Sequence, residues 1–138
     1  MVFLTTRFTD KTYMENCRAR KNLNVPCIYG LSKEISPHHP YEPLYIIEMN
    51  NSINQIMGIG IIKKKISLQK YNIYSDPFYN SYIYKGYQHF SRDDLPLWMV
   101  DELETLLFKG KGHMKRGQGM TLLPKIHHKP EYYDVFIS

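Results

Sequence analysis

The sequence predicts an α+β fold: a small, curved, barrel-like mixed sheet with two main helices, in one domain covering residues 1–138. Three observations predict it. The chain has 12 Tyr and a single Ala, Ala19, a balance that favours strands over a helical bundle. The segments 44–49 and 55–63 read as a regular hairpin, and two other segments combine helical spacing with end signals. A chain of 138 residues can bury one core but is not readily divided into two.

The elements follow in order. Val2 to Arg7 reads as a first strand. A helix then begins where Thr9-Asp10 offers an N-cap and Thr12-x-x-Glu15 has capping-box spacing, and it ends near Asn22, before Asn24 and Pro26. Its apolar stripe is narrow, formed by Tyr13, Cys17 and Ala19. Arg18, Arg20 and Lys21 crowd its last turn, either as complements to the negative helix end or as a cluster facing phosphate.

Cys27-Ile-Tyr29 is a short strand, and Pro37-His-His-Pro40 with Tyr41-Glu-Pro43 is a loop rich in turn residues. The hairpin strands are joined by Asn50-Asn-Ser-Ile-Asn54, a turn suited to left-handed backbone. Met57-Gly-Ile-Gly-Ile-Ile62 is apolar on both faces and reads as a central strand, with Gly58 and Gly60 as bends or bulges. These glycines lack the third glycine and the following helix of a dinucleotide fingerprint. Phe78 to Lys85 reads as a strand with rings on both faces, Leu95 to Lys109 as a helix capped by Gly110, and Met120 to Leu123 and Tyr132 to Ile137 as closing strands. In that helix Asp101, Glu102 and Glu104 are expected to face outward.

Charge is distributed unevenly. The chain carries a formal net charge of +5. From Thr105 to Pro130 there are six Lys or Arg residues (Lys109, Lys111, Lys115, Arg116, Lys125 and Lys129), three of the six histidines, and no Asp or Glu. Within it, Gly110-Lys-Gly-His-Met-Lys-Arg-Gly-Gln-Gly119, with Lys109 just before it, sets four glycines beside four cations, a combination suited to a phosphate-rich partner such as nucleic acid. The loop follows a helix C-terminus and has no Gly-Lys-Ser/Thr ending, so it is not a nucleotide-hydrolase loop. Tyr71 to Tyr87 carries half of the tyrosines; these rings either pack the core or stack on unpaired bases, with Tyr82, Tyr84 and Tyr87 as the stacking candidates.

Chemistry beyond binding has less support. His113 among Lys111, Lys115 and Arg116 is a weak candidate acid or base for a metal-independent nuclease. His38-His39 and His127-His128 with Cys17 or Cys27 show no paired CxxC or HxxxH spacing, so no metal and no cofactor is expected. The two cysteines read as free thiols. No apolar run reaches the roughly 20 residues that span a bilayer, and the apolar start is too short for a signal peptide, which predicts an intracellular protein with no membrane partner.

The element order, with Tyr13-x-x-Asn-Cys-Arg-Ala-Arg-Lys-Asn22, Cys27-Ile-Tyr29, Ile56-Met-Gly-Ile-Gly-Ile61 and a late helix before a basic glycine-rich return, resembles the PUA-like superfamily that includes EVE, ASCH and YTH domains. That resemblance implies binding of RNA or of modified bases, with an aromatic pocket gripping the base. YTH readers build that cage from tryptophans, whereas this chain has only Trp98, on a predicted helix. Glu48-Met-Asn-Asn51, Gly58-Ile-Gly60, Tyr82-Ile-Tyr-Lys-Gly86 and Leu107-Phe-Lys-Gly-Lys-Gly-His-Met-Lys-Arg-Gly117 are similar to proteins of nucleocytoplasmic large DNA viruses, which implies a viral protein of the host cytoplasm, nucleus or virion. The expected function is nucleic-acid binding through Lys109, Lys111, His113, Lys115, Arg116 and Lys125, with Arg18 and Arg20 as a second cluster. The alternative is a viral structural or packaging protein that uses the same basic strip.

Overall fold

The computed structural model describes residues 2–36 and 42–137, without the side chain of Lys125. The His38-His39 pair and most of the expected Pro37–Pro43 loop lie outside the described residues. Six strands, β1 (Val2–Phe8), β2 (Ile28–Leu31), β3 (Leu44–Asn50), β4 (Gln55–Ile62), β5 (Tyr82–Ser91) and β6 (Thr121–Leu122), form one mixed sheet in the order β2-β5-β4-β3-β1-β6. The pair β1 and β3 is parallel and every other pair is antiparallel. The helices are α1 (Asp10–Leu23), α2 (Leu97–Phe108) and α3 (Pro130–Ile137). This is the expected small α+β fold with a curved sheet.

The curvature has a visible source. β5 is ten residues long; Tyr82 to Lys85 pair with β2, while Gly86 to Ser91 pair with β4. One strand therefore serves two neighbours in succession and bends the sheet into a half-barrel. Two cores result. Leu4, Leu44, Ile46 and Ile62 pack with the β2 residues Ile28 and Tyr29 on the face that α1 covers. Phe3, Ile47, Met49, Ile59 and Ile61 pack with Met99, Val100, Leu103 and Leu107 of α2 on the other. Strands β1, β3 and β4 are buried on both faces over most of their length, which is why 44–47 and 56–62 read as apolar runs instead of alternating.

α1 starts at the expected N-cap Thr9, with the reciprocal box three residues earlier than the Thr12-x-x-Glu15 spacing suggested. Thr9 Oγ1 accepts the Thr12 N–H at 3.2 Å and Thr12 Oγ1 accepts the Thr9 N–H at 2.9 Å, so Thr12 and not Glu15 completes the box. Asn24, at φ 53°, ends the helix. The fully buried residue of this helix is Asn16, so α1 meets the sheet through polar side chains as well as Tyr13 and Ala19.

Three expectations are corrected. Phe78 to Asn80 form part of a 3-10 turn, Pro77–Asn80, capped by the Asp76 carboxylate, and the strand begins at Tyr82. Tyr132 to Ile137 form helix α3, not a strand: Pro130 favours a helix start, and Tyr132, Tyr133 and Phe136 recur at helical spacing so that Phe3 and Tyr45 receive their rings. That tertiary packing outweighs the strand preference of Tyr, Val, Phe and Ile. Of the acids on α2, Glu104 turns inward, where it pairs with Arg92 and accepts the Ile56 N–H at 2.8 Å.

Gly58 and Gly60 are not themselves the irregular points. The register passes from Glu48 opposite Gly58 to Met49 opposite Ile56, leaving Met57 unpaired. The glycines instead make room. A Cβ on Gly60 would strike the Tyr29 hydroxyl and sit 2.8 Å from Cys27 Sγ, and one on Gly58 would sit 2.8 Å from His89 Nε2. Among the described residues, no helix is long and apolar enough to cross a membrane.

Gly60→Ala should therefore lose about 1–3 kcal/mol in urea unfolding through overpacking. Gly112→Ala, where a Cβ would meet nothing within 4 Å, should change stability by less than about 0.5 kcal/mol. Equal effects at the two positions would contradict the packing role assigned to Gly60.

Candidate nucleic-acid interface

The space that Gly58 and Gly60 leave is filled by a buried polar cluster drawn from four elements. Glu48 of β3 has no solvent exposure. Its carboxylate pairs with the Arg20 guanidinium of α1, accepts the Tyr29 hydroxyl of β2 at 2.6 Å, and lies 3.1 Å from His89 Nε2 of β5. Arg20 also donates through Nε to Asn16 Oδ1 at 2.6 Å, and Asn16 Nδ2 donates to the Ile28 carbonyl at 2.6 Å and the Tyr74 hydroxyl at 3.0 Å.

Burial alone would raise the Glu48 pKa. The His89 hydrogen bond, the Arg20 charge and the Tyr29 hydroxyl together outweigh it and hold the carboxyl below its ordinary range. The same carboxylate acts on its neighbours: burial and then the Glu48 charge push the Cys27 thiol up to about 11, and burial followed by Glu48 raises the Tyr29 phenol well above its usual value. Of its members, Tyr74 also lines a cavity. The cluster's effect is to fix α1 against the sheet.

The N-terminal end of α1 is fixed as well. Asn50 Nδ2 donates to Asp10 Oδ1 at 2.9 Å, the Asp10 N–H donates to Ser52 Oγ at 3.0 Å, and the Asn51 N–H donates to the Phe8 carbonyl at 2.7 Å. The β3–β4 turn thus ties the end of β1 to the start of α1. It also reaches the basic loop, since Asn51 Nδ2 donates to the Lys115 carbonyl at 2.9 Å.

Arg7 completes the attachment. Its Nε donates to the Met114 carbonyl at 2.5 Å, and Nη1 donates to the Gly119 carbonyl at 3.3 Å and to Thr121 Oγ1 at 3.1 Å. Gly117 lies against the same guanidinium, where a Cβ would collide with it. A half-buried cation thereby gathers the loop carbonyls inward. Lys111 and Arg116 are left exposed, and the backbone N–H groups of Gly117, Gln118 and Gly119 make no hydrogen bond among the described residues.

Beside this loop lies a cavity of about 360 Å³. Its lining comes from Gly117 to Gly119 of the loop, from Arg7 and Asn51, from Thr6, Phe8, Thr9 and Thr12, and from Gly30, Leu31, Tyr74 and Tyr79. The volume falls within the range of small-ligand sites, roughly 300–1,000 Å³. Tyr79, 47% exposed, offers a ring at the rim.

The structure separates the residues expected to bind. Lys109, Lys111, His113, Lys115 and Arg116 stay together in the loop after α2. His113 is half-buried and its Nδ1 accepts the Lys115 N–H at 3.2 Å. Lys125 lies in a separate 3-10 turn, and Lys129 is paired with Glu102 at 2.9 Å. Arg18 is exposed on α1. Two residues are corrected: Arg20 belongs to the Glu48 cluster, and Tyr84 is 1% exposed, its hydroxyl accepting the Ile35 N–H at 2.9 Å, so neither faces a ligand. Tyr82 is half-buried, with Lys70 Nζ 6.0 Å from its ring centre. Tyr87 is 51% exposed but lies beside Lys63 and Lys65, not in the cavity. Sequence reasoning missed Arg7, Thr9, Asn51 and Tyr79; the Asn50-Asn51-Ser52 run was the available signal, since three polar side chains in a hairpin turn can reach neighbouring backbone.

The unfolded chain protonates Glu48 near its ordinary value of 4.5, before the folded chain does. The cluster's stabilisation is therefore complete above that value and is lost as pH falls through the lower folded-state pKa. Urea unfolding of Glu48→Gln should show a loss of about 3 kcal/mol at neutral pH and a flatter decline below about pH 4.5 than the parent. A parallel decline in both proteins would contradict the charged-carboxylate account.

Comparison with protein-family models gives no match to this chain, and comparison with curated proteins gives none either.

Proposed function

We propose that this domain binds nucleic acid, with the loop of residues 109–119 on the phosphates and one unstacked base, of RNA or of modified DNA or RNA, in the adjoining cavity. The observation that carries the reading is the shared segment: Gly117 to Gly119 are at once the end of the cationic loop and part of the cavity lining. A phosphate held by Lys111, Lys115 or Arg116 delivers its own or the next base to the cavity mouth. Free backbone N–H groups at Gly117 to Gly119 supply neutral donors beside those charges.

The walls suit a base. Phe8, Tyr74 and Tyr79 provide aromatic surface, and the Thr9 and Thr12 hydroxyls provide polar edges, the mixture by which single-stranded bases are held. The PUA-like resemblance supports the same reading, with tyrosines in place of the tryptophan cage. The two free thiols accord with action in a reducing intracellular compartment.

Fluorescence anisotropy over single- and double-stranded RNA and DNA at several salt concentrations tests the proposal. Replacing Lys111, Lys115 and Arg116 by Ala should flatten the log–log salt slope by about 2 units on a single strand, since each lost contact removes about 0.7. Tyr79→Ala should weaken single-strand binding by roughly 1–3 kcal/mol with the slope unchanged. Parent-like binding by the triple variant at low salt would overturn the reading.

A further inference from the structure

We infer that a second cationic cleft, formed by Lys63, Lys65, Lys85 and Tyr87, is a further contact for the same nucleic-acid strand; this rests on the reading above. The cleft has a volume of about 710 Å³, and no carboxylate is among its lining residues. Lys63 and Lys65 are exposed and make no ion pair among the described residues. Lys85 is held by a neutral partner, donating to the Tyr71 hydroxyl at 2.6 Å with Nζ 4.6 Å from that ring's centre. No carboxylate pairs with it among the described residues. Glu42 is the nearby acid: it accepts the Lys64 N–H at 2.8 Å outside the lining of the cleft, and after burial its charge raises the Tyr87 phenol.

The cleft has the two parts a single strand requires. Lys85 and Tyr87 of β5 both line the cleft, Tyr87 being the residue that the β4–β5 register leaves unpaired, which sets an exposed ring beside the cations. A base on Tyr87 would leave its flanking phosphates facing Lys63 and Lys65. Ser67 and Gln69, also in the lining, add neutral hydrogen-bonding groups.

Its position gives a length requirement. The basic loop is fastened by Asn51 at the turn that precedes β4, and Lys63 follows the last residue of β4. The eight residues of that strand span about 26 Å at about 3.3 Å each. A strand stacked at about 3.4 Å per phosphate needs on the order of eight nucleotides to join the two sites. A short oligonucleotide reaches one site; a longer one reaches both.

The experiment compares parent, Lys63→Ala/Lys65→Ala and Tyr87→Ala on oligonucleotides of about 5 and about 15 nucleotides, as RNA and as DNA, by anisotropy across salt concentrations. Both substitution sets are at exposed positions, and thermal unfolding confirms that the variants fold. On the longer strand the double variant should flatten the salt slope by about 1.4 units and weaken binding roughly tenfold, and Tyr87→Ala should weaken it with the slope unchanged. On the shorter strand, which occupies the loop and cavity, both should bind like the parent. Unchanged binding of the longer strand, or an equal loss on both lengths, overturns the second contact and leaves the loop-and-cavity reading standing. Failure of the parent itself to bind either length removes both.

Discussion

A carboxylate with no solvent exposure keeps its charge only when donors surround it, and Glu48 has the Arg20 guanidinium, the Tyr29 hydroxyl and the His89 ring around its two oxygens. Those partners come from α1, β2 and β5, with Glu48 itself on β3. The intervening strand β4 contributes glycines, because any side chain at Gly58 or Gly60 would occupy the same volume. Desolvating such charges costs several kcal/mol per ion, and removing one partner strands the others in a low-dielectric site. The arrangement is therefore all-or-none: α1 docks with its polar side chains satisfied, or the sheet face beneath it is left with an unpaired charge. Since the start of α1 carries Thr9 and Thr12 into the cavity wall, the shape of the cavity depends on this cluster, which itself reaches the lining through Tyr74.

The same logic, with the sign reversed, organises the loop. Arg7 is a partly buried cation whose partners are carbonyls and hydroxyls, not acids. It neutralises no negative charge, so the excess of positive charge near the loop is undiminished. By drawing the Met114 and Gly119 carbonyls toward itself, it leaves the loop's cationic heads on the outside. Asn51 does the equivalent for Lys115. A segment with four glycines would lose considerable conformational entropy on binding if it were free. These anchors meet part of that cost during folding, which is what preorganisation contributes to affinity.

Much of the fold was legible because local and tertiary preferences agreed. The β3–β4 hairpin could be read from its Asn-rich turn, whose Asn54 sits at φ 55°, and α2 from Val100, Leu103 and Leu107. α3 was misread because Tyr, Val, Phe and Ile favour strands, and only contacts with Phe3 and Tyr45, far away in sequence, decide otherwise. The basic loop was visible as composition. Its cavity was not, because Thr9, Gly30, Tyr79 and Gly117 are brought together by curvature that no local pattern encodes. Arg20 looked like a phosphate ligand and is a core ion pair, since one buried glutamate in a run of apolar residues gives no sign of its partner. The Lys63-Lys64-Lys65 run was a readable signal, but it is masked by composition, since outside residues 105–130 the chain's 12 Lys or Arg are balanced by 13 Asp or Glu.

The claim at the centre is that one strand engages loop and cavity together. Amide chemical-shift mapping by NMR during titration with a single-stranded oligonucleotide, against the same strand carrying one abasic position, tests it directly. The account predicts saturable shifts at Lys111, Lys115, Arg116 and Gly117 with both strands, and shifts at Thr9, Thr12 and Tyr79 that shrink when the base is missing. Shifts confined to the lysines and arginine and identical for the two strands would contradict it, leaving a cationic surface with no base site.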